Sequence, residues 1–153
     1  MALVTARERL EQGSDGVVVC SRDAHVSLTK AARVMGLRKD ALISLPVDDR
    51  GRLSAVAVQE TLSRLKAQGR PCIAVVATAG TTVRGAIDPL PALAKICRDA
   101  AAWLHIDAAI GGVFALSPTH ASLMEGINQA DSITLNPQKL SLIHISEPTR
   151  LRP

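Results

Sequence analysis

Two groups of opposite charge could act together. Asp107 follows the apolar run of residues 104–106 within Trp103-Leu-His-Ile-Asp-Ala-Ala-Ile-Gly-Gly112, and Lys139 closes Asn136-Pro-Gln-Lys139, 32 positions after that aspartate. A lysine amine condenses with an aldehyde to form an imine, and a carboxylate holds a heteroaromatic nitrogen in its protonated form. Pyridoxal phosphate chemistry asks its protein for these two groups. Taken alone, such a lysine is normally a solvated surface residue. Such an aspartate is commonly a turn residue accepting from backbone amides. The surrounding text decides between these readings.

The elements that must position the pair follow from hydrophobic periodicity. Residues 3–10 and 26–35 predict helices, the second closed by Gly36 in a left-handed cap. Residues 17–20 and 41–46 predict strands, and residues 48–51 a polar turn. Ser54 is expected to cap a helix that runs to about Ala67, with Gly69 beyond its end. Residues 73–77 form a continuous apolar run of the kind buried on both faces of a sheet. Asp88 before Pro89 predicts the capped start of a helix reaching about Ala100. Two more strands are expected at 104–106 and 132–135, with a helix near Leu123 between them. This alternation predicts a three-layer α/β domain with a mostly parallel sheet. His25, Thr81, Asp107 and Lys139 each follow a predicted strand, and in open α/β sheets ligands bind outside the carboxyl ends of the strands.

Composition narrows the function classes. With 153 residues and 47% hydrophobic content, the chain has the length and apolar content of one domain. One Trp, one Phe and no Tyr make its core aliphatic. The formal charge is +4, and setting aside Arg150, Arg152 and Glu147 leaves +3. The basic residues are dispersed and no aromatics interleave with them, which argues against a nucleic-acid partner. Cys20, Cys72 and Cys97 show no metal-ligand spacing, so they are read as small apolar packing residues, in keeping with a cytoplasmic setting. No apolar run approaches the roughly 20 residues of a membrane span. No dinucleotide fingerprint or lysine-bearing phosphate loop occurs among the glycines.

Three blocks carry a likeness to a known family: DAHVSLTKAARVMGL at 23–37, VVATAGTTVRGAIDPLPALAKI with WLHIDAAIGG within 75–112, and ADSITLNPQK at 130–139. In order and spacing they resemble the pyridoxal-phosphate-dependent group II amino-acid decarboxylases, which include the glutamate, aromatic-amino-acid and cysteine-sulfinate enzymes. The resemblance implies part of the large domain of a fold type I enzyme, a carboxy-lyase acting on an amino acid, and a homodimer. It implies that Lys139 is the Schiff-base lysine and Asp107 the partner of the pyridine nitrogen. His25 would stack on one face of the ring and Ala109 pack on the other; this chain has Val26 where relatives often carry an aromatic residue. Thr81 and Thr82, in the Gly80-Thr81-Thr82 turn, would offer hydroxyl and backbone donors. Asn136 and Gln138 would lie near the phosphate, the second where many relatives carry histidine. His105 is read as a supporting group, and Gly111 and Gly112 as backbone devices. The alternatives are another lyase or an aldehyde-forming reaction on the same scaffold, or a non-catalytic α/β binding module.

The resemblance also leads us to expect an internal fragment. Relatives carry a Gly/Ser-rich phosphate turn upstream of the first helix, and Met1 reads as an internal methionine. From Leu140 the text LSLIHISEPTRLRP departs from the family pattern and resembles the conceptual translation of a transposon-type sequencing adapter. Residues 1–139 are therefore read as a partial cofactor-binding domain and 140–153 as a non-native tail, although 140–145 is apolar enough for a short strand.

Overall fold

The computed structural model describes residues 1–10 and 15–140. All of the expected tail except Leu140 lies outside the described residues. The elements run α1 (Ala2–Arg9), β1 (Val17–Ser21), α2 (Ser27–Val34), β2 (Leu42–Leu45), α3 (Ala55–Ala67), β3 (Cys72–Thr78), α4 (Leu90–Asp99), β4 (Trp103–Asp107) and β5 (Ser132–Thr134). The strands form one parallel sheet in the order β2-β1-β3-β4-β5.

The two faces of the sheet bury different residues, as the two-residue period of a strand requires. Val17, Val19, Val75, Ala77, Leu104 and Ile106 pack with Val58, Leu62 and Leu65 of α3 and Leu93 and Cys97 of α4. Val18, Cys20, Ala74 and Val76 pack with Leu3 and Ala6 of α1 and Leu28 of α2. Burying each valine or leucine contributes about 1.5–3 kcal/mol, so the apolar runs of β1 and β3 specify the centre of the sheet. The chain moves from β1 outward to β2, then returns past β1 to β3 and on to β4. Crossovers of constant hand therefore place α2 on one face and α3 and α4 on the other. The three-layer α/β fold predicted from sequence is the fold found.

Local signals act where they were read. Ser54 Oγ accepts from Ala57 N–H at 3.3 Å and begins α3. Gly36 takes φ +69° beyond α2, and Leu37 N–H returns to the Ala32 carbonyl at 3.0 Å.

Two expectations are corrected. Asp88 does not cap α4, whose first residues have no side-chain cap. Its buried carboxylate instead accepts from Leu53 N–H and Thr78 N–H, both at 2.7 Å. Two amides from the end of β3 and the turn before α3 thus satisfy a carboxylate that the core would otherwise penalise. The helix expected near Leu123 is replaced by three 3-10 segments, Gly111–Leu116, Ala121–Met124 and Ile127–Gln129. Pro118 removes a backbone donor, and Gly126 turns at φ +85°. No continuous α-helical ladder spans the stretch.

Candidate active site

The strand order reverses between β1 and β3, and a narrow cleft opens outside their carboxyl ends at this switch point. Asp23, His25, Thr78, Gly80, Thr81, Thr82, Asp107, Ala109, Ile110 and Lys139 line it. Six residues singled out in sequence thus share one wall system: His25, Thr81, Thr82, Asp107, Ala109 and Lys139. A larger apolar hollow between α3 and α4, near the start of β3, contains none of them. Its Lys95 and Asp99 are committed to each other in an exposed ion pair at 2.7 Å, so the smaller cleft is the candidate site.

Asp107 ends β4, directly opposite Thr78 of β3 on one side and Thr134 of β5 on the other. Its side chain is half-buried, and Oδ1 accepts from Ala109 N–H at 3.2 Å. That bond fixes the carboxylate and presents the buried Ala109 beside it. The sharp departure after Asp107 depends on close backbone approach. Gly111 N–H donates to the Ala79 carbonyl at 3.0 Å, and a Cβ on Gly111 would meet that oxygen at 2.5 Å. Gly80, at φ +95°, would place a Cβ 3.0 Å from Gly111 N. The loops after β3 and β4 are thereby locked back to back.

Thr81 is buried and largely committed to its own loop. Its N–H and that of Gly80 donate to the Ala86 carbonyl at 3.0 and 2.9 Å, and its hydroxyl oxygen accepts from Ala86 N–H at 3.0 Å. The Gly80 and Thr81 backbone donors are therefore consumed internally. The Thr81 hydroxyl proton and the exposed Thr82 side chain remain for a ligand.

His25 is exposed at the mouth of the cleft, two residues before α2. Ser27 N–H donates to Nδ1 at 3.3 Å, with Ser27 Oγ 2.8 Å from the same nitrogen. Nδ1 is thus an acceptor, which leaves the ring proton of the neutral form on Nε2. Helix-start hydrogen bonding and a place in the cleft wall coexist in this residue.

Lys139 lies on the 3-10 segment Pro137–Leu140, and its exposed side chain closes the cleft. Its N–H donates to the Asn136 carbonyl at 3.1 Å. Asn136 and Gln138, expected at a phosphate, do not line the cleft. Asn136 supports the turn that carries Lys139, and Gln138 is exposed, because a one-turn segment directs successive side chains in different directions.

Beneath Asp107 runs a polar chain along the β4/β5 seam. Trp103 Nε1–H donates to Ser132 Oγ at 2.8 Å, which lies 2.9 Å from His105 Nδ1, while His105 Nε2 lies 3.2 Å from Thr134 Oγ1. Burial holds the His105 pKa below its usual value, opposed by the nearby Asp107 charge. His105 is therefore a neutral supporting group, as its place in the strand pattern suggested.

Asp23, Thr78 and Ile110 complete the cleft without having been singled out. Asp23 Oδ2 is 3.5 Å from Arg84 Nε, an ion pair between the loops after β1 and β3. Thr78 could have been found as the polar residue ending an otherwise apolar strand; Asp23 carried no comparable signal.

Comparison with known proteins shows the family. The family model described as the pyridoxal-dependent decarboxylase conserved domain matches residues 7–147. The chain belongs to this family. It is 43% identical over 120 residues to cysteine sulfinic acid decarboxylase of Rattus norvegicus, covering 78% of this chain and 24% of that protein. It is 44% identical over 131 residues to L-2,4-diaminobutyrate decarboxylase of Rhizobium meliloti (strain 1021), covering 86% and 26%. Among solved structures, mouse CSAD in its apo form superposes with a TM-score of 0.85 at 35% identity, covering 92% of this chain and 31% of that one. The chain thus spans about a quarter of the length of these curated family members.

Proposed function

We propose that this chain carries the cofactor-binding core of a carboxy-lyase that uses pyridoxal 5'-phosphate to decarboxylate an L-amino acid. The convergence of Lys139, Asp107, His25 and Ala109 on one cleft at the switch point carries this reading. The cleft fits the cofactor chemically: it offers an amine, an anchored carboxylate, a flat imidazole and a small buried methyl group. Bound there, the cofactor supplies an aldehyde carbon and a protonated pyridine ring that accepts the electron pair released as carbon dioxide leaves.

The protein's own contributions follow from its residues. Lys139 Nζ would hold the cofactor covalently. The Asp107 carboxylate, kept aimed by Ala109 N–H, would favour the protonated form of a pyridine nitrogen. The His25 imidazole and the Ala109 side chain would supply cleft walls against which the cofactor ring could pack. Thr81 and Thr82 contribute hydroxyls at the cleft wall. A homodimeric, cytoplasmic enzyme is part of the same proposal, supported by the resemblance for the first and by three free cysteines for the second.

The relatives' names specify an acidic substrate in one case and a basic one in the other. The proposal is accordingly an amino acid whose side chain is selected by residues beyond this cleft. Titration with pyridoxal phosphate, borohydride trapping and peptide mapping should place a pyridoxyl label on Lys139. Carbon dioxide release from an amino-acid panel, with the product identified as amine or aldehyde, tests the reaction in a version extended to the family's full length. A label on another lysine would overturn the site, and an aldehyde product would overturn the reaction.

A further inference from the structure

We propose that Thr78 is a further binding residue of this cleft, its hydroxyl hydrogen-bonding the polar ring edge that Asp107 serves. The inference rests on the cofactor reading above and adds a residue to it. Thr78 is only 5% exposed, and its Oγ1 has no hydrogen-bond partner among the described residues. Buried hydroxyls without a partner are rare in folded proteins because desolvation is left uncompensated. The other such atom, Arg70 Nη2, has the Asp40 carboxylate 3.1 Å away and lies at the opposite end of β3. Thr78, by contrast, lines the cleft.

Strand geometry directs the hydroxyl to the same place as the Asp107 carboxylate. Thr78 and Asp107 are register partners on adjacent parallel strands, which run about 4.8 Å apart. Thr78 alternates with Ala74 and Val76, and Asp107 with Trp103, on the sheet face that packs against α1 and α2. The two polar side chains are thus lateral neighbours on one face. The Thr78 backbone is fixed at this position, its N–H donating to the buried Asp88 carboxylate at 2.7 Å. Valine would fill the same volume with the same strand preference, as Val75 and Val76 do just before it. The hydroxyl is therefore the feature that packing leaves unexplained.

The test compares the wild type with Thr78→Val and Thr78→Ser. Each is melted without ligand and titrated with pyridoxal phosphate by absorbance, and the lysine adduct is trapped with borohydride. Thr78→Val should melt at a higher temperature than the wild type, because it removes an unpaired buried hydroxyl. It should bind pyridoxal phosphate about three- to tenfold more weakly, the factor expected for one neutral hydrogen bond, while still trapping at Lys139. Thr78→Ser should retain wild-type affinity. Equal affinities for Thr78→Val and wild type would overturn the proposal alone. A Thr78→Val protein that melts lower or fails to fold would show a structural hydroxyl and overturn it too. Failure of the wild type to bind pyridoxal phosphate would instead overturn the cofactor reading, and this proposal with it.

Discussion

Replacing Lys139 by alanine removes the one amine that lines the cleft while leaving every core contact in place. We expect Lys139→Ala to lose borohydride-trapped pyridoxyl label and to keep the wild-type melting temperature; mass spectrometry and a thermal scan check both. Asp107→Asn keeps the oxygen that accepts from Ala109 N–H but removes the charge that stabilises a pyridinium proton. Losing a close ionic partner in a desolvated site predicts a fall of roughly two decades or more in turnover with cofactor binding retained. Steady-state kinetics on a full-length version, set beside cofactor titration, distinguishes this from a folding defect. At this scale the sequence singled out the amine and the carboxylate by residue type, and the fold places both on one cleft. The sequence was least legible where a role depends on what a neighbouring strand leaves unpaired. Thr78 became conspicuous only once its hydroxyl was seen buried without a partner among the described residues.

At the scale of elements, Asp88 joins the end of β3 to the turn before α3. Burial pushes its carboxyl above the ordinary range, partly offset by the Leu53 and Thr78 amides. Asp88→Ala would leave those two donors buried without partners, which costs about 2–4 kcal/mol. Chemical denaturation should show that loss, together with weakened cofactor binding because Thr78 is no longer held. A raised folded-state pKa makes the contribution of this group greatest below the unfolded value of 3.8, with loss as pH rises through the folded value. His105 has the opposite sign. Burial lowers its pKa from 6.5, so the stability it contributes is complete above that value and is lost as pH falls through the lower folded value. Melting temperatures should therefore decline on acidification below about pH 6.5, and the decline should be smaller in His105→Gln. Helix and strand positions were legible here because periodicity, Ser54 and Gly36 are local signals. Asp88 was misread as a cap because its two partners lie 35 and 10 positions away.

At the scale of the molecule, the sheet formed by the described residues has β2 and β5 at its edges, and β5 presents Ile133, 45% exposed. Val83, Leu116 and Leu135 add further exposed apolar surface. Open strand edges with apolar side chains promote association. Ile133→Lys should therefore reduce concentration-dependent association in sedimentation velocity, with little change in melting temperature. No helix among the described residues is long and apolar enough to cross a membrane, and none of their His, Cys, Asp and Glu side chains group as a metal site.

By itself the sequence determined the layer architecture and the buried strands, and it singled out Asp107 and Lys139 as the candidate pair. Those depend on hydrophobic period and residue chemistry, which are written locally along the chain. Tertiary structure alone decided which polar residues meet. Parallel register placed Thr78 beside Asp107, the reversal of strand order brought His25 to the same cleft, and close approach of Gly80 to Gly111 locked the loops that form its floor. These are relations between segments tens of residues apart, set by how the sheet closes around its core.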